Sequence, residues 1–219
     1  MDTTTSVQDY LKAIYLLTES GEPAPTSAIA TRLGVAPASV TAMIKRLSRK
    51  GHLRYRRYEG VDLTETGKQL ALEVIRHHRL LEAYLHETLG LPWDKVHDEA
   101  EVLEHALSED LEDRIAKALG NPTHDPHGDP IPPKKGRHKE VSHTRLGAFG
   151  VGPAVVERVS DRSSEALRYL DKLGLRPGAT ITVDQTEPFG GPIWVKVGPK
   201  RHAIGRELAE SIFVSKGVQ

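Results

Sequence analysis

Between Val96 and Leu107 the chain sets His97, Glu101, Glu104 and His105 on one side of a predicted helix. That stripe restricts what can pack against it. Apolar residues recur three or four apart along the same stretch, as in an amphipathic helix. At about 100° per residue the four polar side chains fall within an arc of roughly 100°. A helix that needed only solubility would not gather its histidines and carboxylates on one stripe, so the stripe reads as a sensor of a divalent metal ion.

The formal net charge of zero hides a segregation. From Arg32 to Tyr58 there are eight Lys/Arg and no Asp or Glu, whereas Asp94 to Asp113 carries nine acids against Lys95 alone. One region calls for an anion, the other for a cation. At 219 residues the chain suits two or three domains. No apolar run approaches the roughly 20 residues that span a bilayer, and Met1 to Ser6 lacks a signal-peptide pattern. Cysteine is absent, which removes disulfides and thiolate ligands. The expectation is a cytoplasmic protein with no membrane partner.

Ser6, with Asp9 three residues on, is placed to cap a first helix that runs to about Thr18 with Val7, Leu11, Ile14 and Leu17 on its apolar face. Thr26 or Ser27 starts a short helix that Gly34 ends, and a third runs from about Ala38 to Lys50. Two helices joined by a glycine turn make a helix-turn-helix. The second offers Pro37, Ala38, Ser39, Thr41 and Ala42 in its first turns, small enough for close approach to base edges. Lys45, Arg46, Arg49 and Lys50 follow for phosphates. His52 to Tyr58 and Val61 to Thr64, joined by Glu59-Gly60, read as a wing carrying Arg56 and Arg57. A basic run is commonly just a solvated face. Its coincidence with this spacing points instead to double-stranded DNA.

Thr64-Glu65-Thr66-Gly67 opens a long helix to about Leu89 whose buried side carries Leu70, Val74, His78, Leu81 and Leu85. His78 and Glu82 are one turn apart and can chelate one ion. Alone, such a pair is usually a salt bridge. Its recurrence as Glu101, Glu104 and His105, beyond the turn at Gly90 to Trp93, favours metal. Asp9 is ambiguous, since it can also stabilise its own helix. A further helix follows Ser108 and ends near Leu119.

Asn121 to Arg145 has no apolar periodicity and reads as a connector. After it come a strand at Gly152 to Val159, a short helix at Ser163 to Leu173, and short strands at Thr180 to Asp184, Ile193 to Val197 and His202 to Ile204. A helical turn at Glu207 to Ser211 follows, and the whole suggests a small β barrel. Trp194 and Phe189 are expected in its core, and Gly190-Gly191 is a turn rather than a phosphate loop.

Several segments resemble the diphtheria-toxin-repressor family of metal-dependent transcription regulators, its manganese-responsive branch in particular. They are Asp9 to Tyr15, Val40-Thr41 with Arg46-Leu47, Leu63 to Gly67, His78 to Glu82, Lys95 to Glu101, Leu103-Glu104-His105 and Pro126 to Pro132. The resemblance spans essentially the whole chain. It implies a mainly α protein with a small β domain. A winged helix-turn-helix at 1–68 would be followed by a helical metal-binding and dimerisation domain at 69–121, a linker at 122–145 and an SH3-like domain at 146–219. It implies two metal sites per subunit. The primary one would use Asp9, Glu101, Glu104 and His105. The second would use His78, Glu82 and His97, completed by a C-terminal residue for which Asp161 has the right spacing. Asp125 and His127 lie in a segment that supplies ligands in some relatives.

Two departures bear on the metal. Iron-type members carry sulfur ligands where this chain has Asp9 and Glu101, and hard oxygens move the preference toward Mn²⁺, with Fe²⁺ still possible. Short manganese-type members carry an acid where this chain has Lys12, which argues for two separate sites rather than a closely coupled pair. The expected function is a homodimeric, metal-dependent transcription regulator of metal ion homeostasis, a repressor or an activator. Metal would join Asp9 of the DNA reader to the helical middle and so set the spacing of two recognition helices. A metallohydrolase would need a separate general base, and no His-Glu-x-x-His spacing supplies one. The other rival is a winged-helix regulator with a structural stripe and an organic or protein effector.

Overall fold

A computed structural model describes residues 4–19, 21–56, 59–134 and 143–217, and these pack into two compact units. The first contains the described residues up to His78, with Leu103–Ser108 and 132–134. The second contains Arg79–Val102, Glu109–Ile131 and 143–217. Arg57 and Tyr58 of the expected wing lie outside the described residues.

In the first unit, α1 (Thr5–Thr18), α2 (Thr26–Leu33) and α3 (Pro37–Arg49) surround one apolar core. Leu11 and Ile14 of α1, Ile29 of α2, and Val40, Ile44 and Leu47 of α3 are fully or almost fully buried there. The three- and four-residue spacing of these positions turns one face of each helix inward. Gly34 ends α2 in the left-handed region at φ 63°, turning the chain into α3. Strands β1 (Leu53–Arg56) and β2 (Gly60–Leu63) pair antiparallel, Leu53 opposite Leu63, as expected of a wing. Thr64 caps α4 (Glu65–Glu87) by accepting the Gly67 N–H at 3.2 Å.

Two local expectations are corrected in this unit. Helix α1 begins at Thr5, with Thr4 as an N-cap that makes no side-chain bond. Ser6 is therefore inside the helix, and Asp9 has a different partner, described below. The helix expected over Val96 to Leu107 ends at Leu103: α5 is Val96–Leu103, and Glu104 to Ala106 form a turn closed by the Ala106 N–H on the Leu103 carbonyl. The apolar period runs past that end because Val102 and Leu103, at 73% and 42% exposure, continue the pattern without being core residues.

The second unit joins the later part of α4, α5 and α6 (Glu109–Ala118) to a six-stranded antiparallel sheet. The strands are β3 (Thr144–Arg145), β4 (Gly152–Val159), β5 (Thr180–Thr186), β6 (Ile193–Val197), β7 (Lys200–Ile204) and β8 (Ile212–Lys216), in the order β3-β8-β4-β5-β6-β7. Register shifts between Val156 and Arg158 and between Val183 and Gln185 mark bulges of the kind that bend small sheets. Helix α7 (Ser164–Leu173), capped by Ser163, packs Leu167 and Leu170 into the same core as Trp93, Val156, Ile181 and Val195. Strand β8 escaped the sequence reading because Ile212-Phe213-Val214 is a short run with no turn signal of its own. Phe189, expected in the core, is fully exposed at a loop tip with φ 56°, and Trp194 is half-buried beneath the Arg201 guanidinium, 4.2 Å from its ring centre.

The first half of the expected connector is not loose. His124 bridges Pro130, the Asp125 N–H donates to the Asp129 carbonyl, and Ile131 N–H donates to the Thr123 carbonyl. Asp125 Oδ1 accepts the backbone N–H groups of His127 and Asp129 at 2.8 and 2.9 Å. The Val159 N–H reaches the His127 carbonyl, and Arg158 and Arg79 both grip Asp129. Side-chain-to-backbone bonding organises this segment, so no apolar period announces it. Gly128, at φ 88°, passes so close to β4 that a Cβ would stand 2.0 Å from the Glu157 carbonyl oxygen. Gly128→Ala is expected to cost about 3 kcal/mol, read as a lower thermal midpoint. An unchanged midpoint would mean that the segment is not held to β4.

Candidate metal centre and nucleic-acid interface

The candidate nucleic-acid face belongs to the first unit. Pro37, Ala38, Ser39 and Thr41 are exposed over the first turns of α3, and Lys45, Arg46, Arg49 and Lys50 are exposed over its end. Thr41 donates its hydroxyl to the Pro37 carbonyl at 3.1 Å. Thr26 and Ser27 form the first turn of α2, and Arg56 of the wing pairs with Glu59 at 3.1 Å in the open. A shallow cavity of about 320 Å³ is lined by Lys45, Ser48, Arg49 and Tyr55. Two cations, a hydroxyl and a phenol suit a backbone phosphate and its sugar. Ser48 and Tyr55 were not singled out from sequence, although Ser48 follows Lys45 by three residues and Tyr55 interrupts a basic run. Lys45→Ala is expected to weaken binding uniformly across DNA sequences and to lower the slope of log affinity against log salt by about 1. A loss confined to one sequence would refute a phosphate role.

In the first unit the structure brings Asp9, Glu104 and His105 together, each offering an atom within 4.8 Å of the others. His105 Nε2 lies 2.9 Å from Asp9 Oδ1 and 3.6 Å from Glu104 Oε1. Its Nδ1 is 2.8 Å from Gln8 Oε1, an unforeseen partner that fixes the ring. The Glu104 side chain is fully buried. Both its oxygens accept from Lys12 Nζ, at 3.0 and 2.7 Å, and His78 Nδ1 lies 2.5 Å from Oε2. His78, assigned by resemblance to the second site, also lies against Glu104. Glu101, assigned to the primary site, falls in the other unit, where its carboxylate is 3.8 Å from His97 Nε2.

The second unit gathers Glu82, His97 and Asp161, with Asp125 and His127 beside them. His97 Nδ1 is 3.0 Å from Asp161 Oδ2 and 3.2 Å from Glu82 Oε1. Glu82, Asp125 and His127 also offer atoms within 4.8 Å of one another. His127 Nε2 is 2.8 Å from the Trp93 carbonyl, and its ring stacks on that indole at 5.8 Å. Nε2 carries one proton, and Nδ1 carries the proton that a metal ion would replace. That atom is buried, makes no hydrogen bond among the described residues, and faces Glu82 Oε2 at 3.7 Å. A buried imidazole nitrogen so placed is one that a cation would satisfy. The donor atoms of both clusters are carboxylate oxygens and imidazole nitrogens, a set that fits a hard or borderline divalent ion.

The protonation states follow from crowding. Burial alone would lower the His97 pKa, but hydrogen bonds to Asp161 and Glu82 outweigh it and raise the value to about 10. Burial would raise Asp161, and the His97 bond holds it down at about 2. His127 is likewise lifted against burial, by Glu82 and then Asp125, to about 9. Burial pushes Asp125 well above the usual carboxylate range, and Glu82 and Asp129 push it further. In metal-free protein, the stability from the His97–Asp161 pair is therefore full between about pH 4 and 6.5. It is lost as pH rises through 10 or falls through 2. Asp161→Asn is expected to lower the metal-free melting temperature by a few degrees at pH 6 and by less at pH 10. An equal loss at both would remove the pair as the cause.

Three family descriptions match successive parts of the chain: the N-terminal DNA-binding domain of iron-dependent repressors at residues 2–61, their metal-binding and dimerisation domain at 64–133, and the FeoA domain at 145–216. The iron-dependent repressor IdeR of Mycobacterium tuberculosis (strain ATCC 25618 / H37Rv) is 36% identical over 220 residues, covering 94% of this chain and 95% of that protein. The regulator MntR of Bacillus pumilus (strain SAFR-032) is 40% identical over 113 residues, covering 52% of this chain and 78% of that one. Among solved structures, a manganese-dependent transcriptional repressor in complex with manganese superposes with a TM-score of 0.88 at 36% identity, over 96% of this chain and 99% of that one.

Proposed function

The chain belongs to the iron-dependent repressor family of metal-dependent transcriptional regulators, and from that premise we propose that Mn²⁺, held by two clusters in each subunit, sets its affinity for operator DNA as a homodimer. Fe²⁺ is the alternative ion. The observation that carries the reading is the meeting of Asp9 with His105 and Glu104 in the unit that bears the recognition helix. Asp9 sits on α1, whose Leu11 and Ile14 share a core with Val40, Ile44 and Leu47 of α3. Whatever fixes Asp9 therefore also fixes α3.

A bound divalent ion supplies the positive charge that lets the Asp9 and Glu104 carboxylates share one point with His105. Glu104 and His105 lie on the turn between α5 and α6, inside the stretch matching the metal-binding and dimerisation domain. Holding that turn against α1 ties the recognition helix to the chain that carries the dimer contacts. Two recognition helices must present themselves to half-sites about one helical turn, or a multiple, apart. Without the ion Asp9 and Glu104 are joined only through His105, and the competent arrangement is less populated, so metal acts by shifting that population.

Glu82, His97, Asp161, Asp125 and His127 form the proposed second site, supported by the buried His127 nitrogen that faces Glu82. The manganese preference rests on the sulfur-free donor set and on the manganese bound in the similar repressor structure. Purified protein is to be titrated on operator DNA with Mn²⁺, Fe²⁺ and Zn²⁺, with and without chelator. Glu104→Ala and His105→Ala are each expected to abolish metal-stimulated binding, a loss of about tenfold to 100-fold, while the circular dichroism spectrum is retained. An unchanged metal response in both variants would sink the primary-site assignment.

A further inference from the structure

Lys12 is the one ammonium that the fold buries inside a metal-capable cluster among the described residues. It lies on α1 three residues after Asp9, so the two share a helix face. Its residue exposure is 8%, and its Nζ reaches Glu104 Oε1, Glu104 Oε2 and His78 Nδ1 at 3.0, 2.7 and 3.1 Å. A lysine is seldom buried to this degree unless it is paired. Here the pairing is mutual, because the Glu104 carboxylate has no exposure and needs a counter-charge.

The same two oxygens are those a divalent ion would use, at roughly 2 Å. An ammonium within 3 Å of both already occupies the directions from which the ion would approach. Two cations against one buried carboxylate repel strongly where the dielectric is low. We propose that Lys12 is the resident counter-ion of this cluster: it neutralises Glu104 and holds His78 in the metal-free protein, and its Nζ withdraws from Glu104 when a divalent ion binds. Lys12 thereby sets how much metal the protein requires. A lysine suits the task, since its charge sits at the end of a flexible stem that can swing away, which a planar guanidinium engaged at two atoms does less readily.

The inference rests on Asp9, Glu104 and His105 being a metal site, and the tests separate the two. The first uses the unaltered full-length chain. An amine-acetylating reagent is applied with chelator and then with excess Mn²⁺, and the lysines are quantified by mass spectrometry. Lys12 is expected to be protected in chelator and to react at least several-fold faster with Mn²⁺, while the other lysines are unchanged. Equal protection of Lys12 in both conditions overturns the proposal. The second compares Mn²⁺ binding by calorimetry in Lys12→Met, Lys12→Gln and Lys12→Arg. Met and Gln are expected to lower the metal-free thermal midpoint and to tighten Mn²⁺ binding at one site about tenfold, with Arg no tighter than the parent. Unchanged or weaker Mn²⁺ binding in Met and Gln overturns it. Glu104→Gln in the parent background decides the underlying site: if the Mn²⁺ isotherm is indifferent to that change, the metal assignment fails, whatever Lys12 does.

Discussion

Glu104 and Glu82 each have a side chain with no exposure, one in either unit. A carboxylate removed from water costs several kcal/mol unless charge and hydrogen bonds replace its hydration. Much of the surrounding architecture answers that requirement. In the first unit α1 brings Lys12 to Glu104, and α4 brings His78. In the second, α5 brings His97 to Glu82, and the segment after α6 brings His127. The answers differ in kind. Imidazoles around Glu82 can themselves become ligands, so charge and coordination come from the same groups. Lys12 cannot ligate in its charged form, so in the first unit neutralising the acid and binding a metal are alternatives.

This difference bears on the carboxylate at residue 161. Asp161 follows β4 in the small β sheet, yet it is 3.0 Å from His97 on α5. The strap from Thr123 to Ile131 is bonded to the end of the same strand through Val159 and Arg158. The β sheet thus contributes one carboxylate directly and fixes two further candidates, Asp125 and His127, through backbone bonds. An alteration of β4 would be felt by several groups of the cluster at once.

The winged helix was legible because its core repeats at helical spacing and its turns are marked by Gly34, Pro37 and Gly51. The sheet was legible except for β3, two residues at the end of the expected connector, and β8, whose apolar run Ile212-Phe213-Val214 is short. The metal-capable residues were visible as types and spacings, and the resemblance set Asp9 with Glu104 and His105, and His97 with Glu82 and Asp161, groups that also meet in the structure. The end of the helix was not visible: the apolar period runs on to Leu107, whereas α5 stops at Leu103 and a turn carries Glu104 and His105. Asp9 looked as much like a helix cap as a ligand until its carboxylate was seen beside His105. The strap held the largest surprise, because Asp125 and Gly128 organise it by backbone bonding and close approach, which leave no hydrophobic period. Lys12 was readable as a departure from the resembled pattern, but its burial against Glu104 was not.

Trp93 has a consequence of an optical kind. The chain has two tryptophans, and Trp194 is half-buried beneath Arg201 in the sheet. Trp93 is buried, stacked on His127, and its own carbonyl is hydrogen-bonded to that ring. Charge on the His127 ring is therefore presented almost face-on to an indole whose emission responds to nearby charge. The second cluster carries its own chromophore, and the state of Glu82 and its neighbours is open to steady-state fluorescence without a label or DNA.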